Sequence, residues 1–545
     1  MNPVGSTPNV QLPTPKAIGR LAPEVPVTAG HAMALCHRRG RMALPAAHPA
    51  LAAWSGTPRQ VRGLRVYAVA RQSHHIGIRN VAHSPPVSVA MTGGYMHRFF
   101  FLLFVTIVAA PPSAQAQVAN AQRPNVVLII TDDVGYGDFG SYGAPDIKTP
   151  NIDGLARDGV RLTDFYANGA TCSPTRTGLI SGRYQQRFGL EQPLGARGAV
   201  DWERGLPSSG RSLPQLLKNN GYATALVGKW HLGWKSEFSP GAHGFDYFFG
   251  FKSGFIDYYQ HTAGADAPVK ADLFENDHPV EVPGYMTDLI TQRSIRFIEQ
   301  NARQPFFIDV AYNAAHWPYQ RPDQPSTARD NGRHLGPFDN PTNTRADYVA
   351  MLERADQGVG QILGALDRLG LRQNTIVIFT NDNGGEWLSR NTPLFHHKGS
   401  VWEGGIRVPA IFRWPGRIPP GGVSGQVGIT MDLTASILAA TGTPVPAEAR
   451  LEGINLFPVL EGRVPAIDRT LFWRVTGAQP QQAVRVGNWK LLYDGGRAML
   501  FNVRTDLGER NDLMREQTEI ARRLAPLIAA WQKDVDGEAK SLSQH

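Results

Sequence analysis

The sequence predicts an α/β fold in which a large, mostly parallel sheet is sandwiched by helices and followed by a smaller antiparallel sheet with a terminal helix. Short apolar runs alternate with segments of helical period from about residue 125 to about residue 460, which is typical of a sheet covered by helices on both faces. After about Gly462 the pattern changes to short strands and one helix. The 545 residues, 42% of them hydrophobic, are enough for several domains.

Local signals predict the elements one by one. Residues 126–130 are all apolar, which predicts a buried parallel strand. Thr149 and Pro150, as cap and first-turn residue, open a helix that runs to about Arg157. The other predicted strands are 224–227, 306–312, 375–380 and 408–412, and then 471–475, 483–486, 490–493 and 499–503. The other predicted helices are 212–219, with Ser212 as its cap, 287–301, 345–369, 431–440 and 517–535.

The net charge of +9 belongs to the front of the chain. Residues 1–95 hold ten basic residues and one acid, whereas residues 96–545 hold 45 of each. The main part of the chain therefore lacks the positive excess of a nucleic-acid-binding protein, and we expect no nucleic-acid partner. The sequence has no uninterrupted apolar stretch of about 18 residues, so it is not expected to span a membrane. Its two cysteines exclude a disulfide-rich scaffold.

Residues 96–116 have the pattern of a secretory signal peptide. Met96 to Arg98 form a positive start, residues 99–110 are largely apolar, and Ala-Gln-Ala occupies 114–116. A buried core helix is the alternative. We predict that 1–95 is an over-extended reading frame or a disordered leader, a transit-like leader being the alternative, and that the mature protein begins near Gln117. The predicted location is periplasmic or secreted, with domains 117–462 and 463–545.

Polar side chains follow four of the predicted strands. They are Asp132 and Asp133, Lys229 and His231, His316, and Asp382 and Asn383, in chain order. Because ligands of an open α/β sheet gather at the carboxyl ends of its strands, we expect these side chains to lie close together. The aspartate and asparagine oxygens suit Ca²⁺ or Mg²⁺ better than zinc. A surface turn is the alternative for an Asp-Asn-Gly-Gly sequence taken alone.

A second motif surrounds Cys172, the only cysteine of the predicted mature chain. Residues 172–176 read Cys-Ser-Pro-Thr-Arg in a polar context that opens a helix, and Arg176 follows one turn later. A helix N-terminus and an arginine both favour an anion. A lone cysteine is otherwise most often a small buried apolar residue. The context favours a reacting site for an anionic group.

These motifs together resemble those of type I sulfatases, the formylglycine-dependent members of the alkaline phosphatase superfamily. Residues 172–176 match the C-x-P-x-R signature, and residues 178–183 resemble its usual continuation. The resemblance extends from about Arg123 to about Asp536. Its further blocks are 125–133 (NVVLIITDD), 228–233 (GKWHLG), 382–385, Lys398 with 404–409, and 488–493 (NWKLLY).

The resemblance implies an alkaline-phosphatase-like fold and the hydrolysis of aryl or carbohydrate sulfate esters. It implies a formylglycine made from Cys172 as the nucleophile, and Ca²⁺ rather than Mg²⁺ as the cation. Asp132, Asp133, Asp382 and Asn383 would bind that cation together with residue 172. The implied partners are a sulfated small molecule or glycan and a formylglycine-generating or sulfatase-maturating enzyme.

The resemblance also implies a role for each remaining residue of the site. Arg176 would hold the hydrated aldehyde, and Lys229, Lys398 and His316 would contact the substrate sulfate ester. His316, alone or with Lys398, would protonate the leaving alcohol, and His231 would accept the proton whose loss releases sulfate. A packing role for His316 stays open, and the two histidines before Lys398 are an alternative substrate-binding pair.

Two other functions remain open from the sequence. One is a phosphodiesterase or phosphonate monoester hydrolase of the same superfamily, and the other is a glycan-binding protein whose cysteine is never converted. An aryl sulfate, a sulfated monosaccharide and a polysaccharide end are all possible substrates. Segments 235–285 and 317–345 are predicted to form the pocket. Four tryptophans near the motifs either stack on a substrate ring or pack in the core: Trp230, Trp234, Trp317 and Trp402.

Overall fold

The strands of the main sheet follow the apolar runs of the sequence. The computed structural model describes residues 123–195, 203–263, 270–324, 329–330, 333–334 and 343–542, which all belong to the unit Val108–His545. The leader 1–95 and the signal peptide 96–116 lie outside the described residues. The strands of the described residues are β1 (Asn125–Thr131), β2 (Val160–Leu162), β3 (Phe165–Tyr166), β4 (Ala223–Lys229), β5 (Tyr247–Phe251), β6 (Thr262–Ala263), β7 (Lys270–Ala271), β8 (Phe274–Glu275), β9 (His278–Pro279), β10 (Phe306–Ala311), β11 (Arg329–Asp330), β12 (Arg333–His334), β13 (Thr375–Asn381), β14 (Ala410–Arg413), β15 (Gly422–Ser424), β16 (Gly428–Ile429), β17 (Thr470–Val475), β18 (Gln481–Val486), β19 (Trp489–Asp494) and β20 (Arg497–Asn502).

The α-helices begin close to the predicted positions. Ser212 caps its helix by accepting a hydrogen bond from the Gln215 amide at 3.4 Å, as predicted. Thr149 occupies the N-cap position and Pro150 the first turn, as predicted, but the Thr149 hydroxyl donates to Asp153 and accepts no hydrogen bond from a helix amide. No helix of the described residues is both long and apolar enough to cross a bilayer. The helices of these residues are α1 (Pro150–Arg157), α2 (Cys172–Ser181), α3 (Leu213–Asn219), α4 (Met286–Gln300), α5 (Arg345–Arg368), α6 (Glu403–Ile406), α7 (Met431–Ala440), α8 (Phe457–Leu460) and α9 (Thr518–Leu542).

A ten-stranded sheet forms the centre of the fold, in the order β15-β2-β14-β13-β1-β10-β4-β5-β8-β9. The five strands from β13 to β5 are parallel. Strand β14 runs antiparallel to β13, and β8 and β9 form an antiparallel edge beside β5. The predicted large and mostly parallel sheet is therefore confirmed.

Both faces of this sheet are buried, which explains its continuous apolar runs. On β1, Val127 and Ile129 pack into one hydrophobic cluster with residues of α1, α4 and α5. Val126, Leu128 and Ile130 pack into a second cluster with residues of α2, α3 and α7. Because side chains alternate along a strand, a strand that is covered on both faces needs apolar residues at every position.

The C-terminal strands β17 to β20 form a separate antiparallel sheet, as predicted. Helix α9 covers one face of it. The other face packs on the main part of the fold, where Trp473 lies 5.0 Å from Tyr166 between ring centroids and donates a hydrogen bond to the Ala167 carbonyl. The domain boundaries 117–462 and 463–545 stay predictions.

A buried ionic network also joins the C-terminal sheet to helix α6. The Lys490 ammonium lies 2.9 Å from carboxylate oxygens of both Glu403 and Glu509, and all three side chains are fully buried. The Glu403 carboxylate also pairs with Arg407 at 3.0 Å. The Glu403–Arg407 pair is therefore buried beneath the C-terminal sheet.

Replacing Lys490 with methionine is expected to lower the free energy of unfolding by about 3–5 kcal/mol, because it removes the cation that two buried carboxylates share. Denaturant unfolding followed by circular dichroism measures the effect. As a control, Arg522→Ala breaks an exposed ion pair with Glu519 and should cost below about 1 kcal/mol. Equal costs for the two variants would contradict the structural role of the network.

Candidate active site

Four neighbouring strands bring most of the predicted site residues to one edge of the main sheet. Strands β13, β1, β10 and β4 are adjacent and parallel, so their carboxyl ends lie side by side. Asp133 and His231, just beyond β1 and β4, have φ values of 60° and 56°. Residues other than glycine rarely adopt this conformation, and it is enriched at functional sites.

The acidic residues lie together at this edge. The Asp133 backbone amide donates to Asp382 Oδ1 at 3.4 Å, and Asn383 Nδ2 donates to Asp133 Oδ1 at 2.7 Å. Asn383 Oδ1 is buried and accepts no hydrogen bond from the described residues. Four side chains each offer one ligand atom, and these four atoms lie within 4.8 Å of one another: Asp132, Asp133, Cys172 and His316. The cluster is therefore compact enough for several of these groups to bind one ion.

Three basic side chains pair with these carboxylates. Lys229 Nζ lies 2.5 Å from Asp132, and Lys398 Nζ lies 2.6 Å from Asp133. The Arg176 guanidinium lies 3.1 Å from Asp382 and donates to the Lys229 backbone carbonyl. Three positive side chains thus balance three negative ones at the carboxyl edge of the sheet.

Cys172 is the first residue of α2, and its Sγ lies 3.8 Å from Asp132 Oδ1. The side chain is buried, with 2% of its surface exposed. Burial raises the pKa of the thiol to about 12. An unmodified cysteine is therefore protonated here at neutral pH, and a thiol is a much weaker nucleophile than a thiolate.

The crowding of carboxylates shifts their proton affinities. Burial and the neighbouring Asp382 raise the pKa of Asp132 well above its ordinary value, against the opposing effect of Lys229. Burial also acts to raise the pKa of Asp133, but Lys398 and His316 hold it below the ordinary range. Adjacent buried carboxylates of this kind favour a bound cation.

The two predicted histidines are both buried and both bond to a backbone carbonyl. His316 Nδ1 lies 2.6 Å from the Trp317 carbonyl oxygen, and its Nε2 lies 3.3 Å from both Lys398 Nζ and Asp133. His231 Nε2 lies 2.8 Å from the Leu194 carbonyl, and its Nδ1 has no hydrogen-bond partner among the described residues. Burial lowers the pKa of each ring well below its ordinary value, so both rings are neutral.

Sequence reasoning missed Glu386. Its Oε2 lies 3.6 Å from Lys398 Nζ, and burial raises the pKa of its carboxyl to about 7. A usable signal was its position, since it directly follows the Asp-Asn-Gly-Gly sequence that the strand-end argument had already singled out.

The tryptophans of the motifs have different roles. Trp230 and Trp402 are buried and donate to Phe238 and Asp494, so they belong to the core. Trp317 is half-buried and lies 5.2 Å from the His316 ring between centroids. Of the predicted pocket segments, 264–269 and parts of 325–342 lie outside the described residues.

Comparison with known proteins identifies the family of this chain. The family model named Sulfatase matches residues 124–443. N-acetylgalactosamine-6-sulfatase of Rattus norvegicus is 36% identical over 390 residues, which are 68% of this chain and 71% of that protein. Arylsulfatase G of Mus musculus is 32% identical over 431 residues, covering 70% of this chain and 77% of that protein. The crystal structure of Ps i-CgsB in complex with k-i-k-neocarrahexaose matches with a TM-score of 0.68 and 30% identity, over 75% of this chain and 93% of that one.

The fold and these matches place the chain in the alkaline phosphatase superfamily. Within it the chain belongs to the sulfatase family and is a sulfuric ester hydrolase.

Proposed function

We propose that the chain releases inorganic sulfate from carbohydrate sulfate esters, using a formylglycine formed from Cys172 and a bound Ca²⁺. The observation that carries this proposal is the convergence of Asp132, Asp133, Cys172 and His316 within 4.8 Å at the carboxyl edge of the sheet. The names of the relatives support a sugar substrate, since one is an N-acetylgalactosamine-6-sulfatase and another was solved with k-i-k-neocarrahexaose. Aryl sulfates are the second candidate, supported by the arylsulfatase relative.

The donor set suits a hard divalent cation. Asp132, Asp133 and Asp382 supply carboxylate oxygens, and Asn383 supplies a buried amide oxygen that has no donor among the described residues. Residue 172 completes the proposed set. When bound, the cation polarises sulfate oxygens and lowers the pKa of a coordinated hydroxyl. Because the basic side chains already balance the carboxylates, a divalent cation gives the site a positive surplus for an anionic ester.

The nucleophile would be residue 172 after oxidation to formylglycine. When hydrated, that aldehyde supplies one hydroxyl oxygen that attacks sulfur and a second whose deprotonation expels sulfate and restores the aldehyde. Arg176 lies one helical turn from Cys172 and would hold the hydrate. Because Cys172 is only 2% exposed, the maturating enzyme would act before the chain folds.

The basic side chains would bind the sulfate and move protons. Lys229 and Lys398 border the carboxylate cluster and would stabilise the charge that develops on the sulfate oxygens. His316 donates its Nδ1 hydrogen to the Trp317 carbonyl, so Nε2 carries the lone pair. Nε2 would take a proton from Lys398 and pass it to the leaving oxygen. His231 Nδ1 holds a lone pair and would accept the proton of the second hydroxyl.

Replacing His316 with alanine is expected to lower kcat for an alkyl or sugar sulfate by about 10²- to 10⁴-fold, because a poor leaving group must be protonated. With 4-nitrophenyl sulfate, whose phenolate leaves without a proton, the loss should be below about tenfold. Steady-state kinetics with both esters measure this difference. His261→Ala is the matched control, since that histidine is also buried and contacts a backbone carbonyl, of Gly284. Equal losses for both esters would argue against a role in leaving-group protonation.

A substrate panel tests the proposed activity against the phosphonate and phosphodiester alternatives. Purified, matured enzyme is assayed with a sugar sulfate, an aryl sulfate, a phosphate diester and a phosphonate monoester. We expect the highest kcat/KM with a sulfate ester. Fastest turnover of the diester or the phosphonate would overturn the proposed specificity, and binding of a sulfated glycan without sulfate release would favour the non-catalytic alternative.

The proposed location follows from the chemistry of maturation and from the front of the chain. Residues 96–116 are proposed to direct export to the periplasm or outside the cell. A formylglycine-generating or sulfatase-maturating enzyme would be the partner that oxidises Cys172. An exported chain with a single thiol has no internal disulfide to form, which agrees with a chemical role for that thiol.

A further inference from the structure

A cavity adjoins the candidate active site on the loop that follows β13. It has a volume of about 370 Å³, and its lining includes Glu386, Trp387, Asn391, His396 and His397. This volume lies within the range of small-ligand pockets. Glu386 is shared by the cavity and the active site, since its carboxylate is 3.6 Å from Lys398.

Trp387 presents an unusual surface to this cavity. Its side chain is 58% exposed, more than any other phenylalanine, tyrosine or tryptophan of the described residues. An indole that is more than half exposed beside a polar cavity is typical of a binding surface rather than of core packing. Glu386 and two histidines surround it with groups that can accept or donate hydrogen bonds.

The turn that carries Trp387 is held in place on both sides. Asn391 accepts a hydrogen bond from the Gly385 amide at 2.9 Å and donates one to the Gly385 carbonyl at 3.0 Å. The Ser389 amide donates to the Glu386 carbonyl at 2.9 Å. A surface that is already ordered loses little conformational entropy when it binds a ligand.

We propose that this cavity binds the sugar ring that carries the sulfate ester, with Trp387 stacking on the ring face and Glu386 accepting a hydrogen bond from a ring hydroxyl. This inference rests on the proposed function, because it takes the leaving oxygen to lie at His316 and Lys398. Glu386 adjoins Lys398, which lies 3.3 Å from His316, so the alcohol part of the ester leaves the cluster towards the cavity.

The polar groups that line the cavity suit an uncharged part of the substrate. Glu386 can accept hydrogen bonds from hydroxyls and offers no positive charge to a second sulfate group. Burial lowers the pKa of His396, so this ring is neutral and also suited to hydroxyl groups. The ring that stacks on Trp387 therefore carries no second sulfate on the face that meets Glu386.

Trp387→Ala tests this assignment with monosaccharide sulfates that differ in ring and sulfate position, and with 4-nitrophenyl sulfate. We expect KM for the best sugar sulfate to rise about 10- to 100-fold with little change in kcat, because stacking on the ring would stabilise the bound substrate and the transition state equally. Turnover of 4-nitrophenyl sulfate should change by less than about threefold. Phe395→Ala is the matched control, since Phe395 is 47% exposed on the same loop and does not line the cavity.

The outcomes separate this inference from the proposed function. Sulfate release by the parent enzyme with no effect of Trp387→Ala on KM for sugars would overturn the sugar site alone. An equal loss with the aryl ester would assign the cavity to an aryl ring instead, and turnover of aryl sulfate with no sugar sulfate hydrolysed would do the same. If the parent enzyme hydrolyses no sulfate ester, the proposed function fails, and this inference fails with it.

A binding measurement supplies a readout besides activity. Calorimetric titration of the Cys172→Ala protein with the best sugar sulfate should give a dissociation constant that rises about tenfold or more when Trp387 is also replaced by alanine. An unchanged dissociation constant would overturn the stacking role of Trp387.

Discussion

Replacing Cys172 with alanine is expected to lower kcat for sulfate esters by at least about 10⁴-fold, because it removes the atom from which the proposed nucleophile is made. The residual rate would come from the cation and the basic side chains acting on bound ester. The loss should appear in kcat and kcat/KM together, since the nucleophile contributes to the chemical step and not to binding. Single-turnover and steady-state sulfate release measure it.

The control for this variant lies on the same helix. Thr177 is buried in α2, and its hydroxyl has no hydrogen-bond partner among the described residues. Thr177→Val keeps the shape of the side chain and should retain activity within about threefold. Thermal unfolding checks that both variants fold. Retention of more than about a tenth of the parent kcat by folded Cys172→Ala would rule out a nucleophile at this position.

Removing the divalent cation with a chelator is expected to lower kcat by at least about 100-fold, because a bound metal ion stabilises transition-state charge by several kcal/mol. Adding Ca²⁺ should restore activity. Mg²⁺ should restore less, because it demands octahedral geometry and sheds its water reluctantly. Elemental analysis of the purified enzyme and a Ca²⁺-dependent rise in Tm provide readouts that do not depend on turnover.

A matched pair of variants assigns this requirement to the carboxylate cluster. Asp382→Asn removes one of the three negative charges and should raise the Ca²⁺ concentration for half-maximal activity by about tenfold or more. Asp272→Asn is the control, because Asp272 is equally buried but accepts hydrogen bonds from the Lys252 and Ser253 amides. Full activity in enzyme shown to be free of divalent metal would contradict the proposed cation site.

The parallel strands could be predicted because burial on both faces leaves a clear signal. Strands β1, β10 and β13 are built on apolar runs, which Asp309 interrupts in β10, and the sequence placed them within one or two residues. The short strands β2 and β8, with three and two residues, have no period that could be read. Strand β5 was also missed, because its aromatic run 247–251 contains Gly250 and lies inside a segment that reads as a loop. The antiparallel direction of β14 depends on pairing with β13, which a single strand does not encode.

The part of the site at the strand ends could be predicted from the sequence, because function places unusual residues there. Consecutive aspartates after a buried strand, and a cysteine that opens a helix, are costly or rare without a chemical reason. Glu386 and Trp387 were missed, because a glutamate and a tryptophan in a loop are ordinary until their neighbours are known, and the signal for Glu386 was only its position directly after Asp-Asn-Gly-Gly. Only the fold shows that the Glu386 carboxylate lies 3.6 Å from Lys398 Nζ and that Trp387 is 58% exposed.

The mass of the tryptic peptide 162–176 tests the central claim most directly. The peptide comes from protein produced with its signal segment in a host that matures sulfatases, and it is compared with the same peptide from a host that does not. We expect an aldehyde or its hydrate at position 172 in the first host and an intact thiol in the second. An intact thiol in the first host, where a known sulfatase is converted in parallel, would contradict the formylglycine mechanism and favour the glycan-binding alternative.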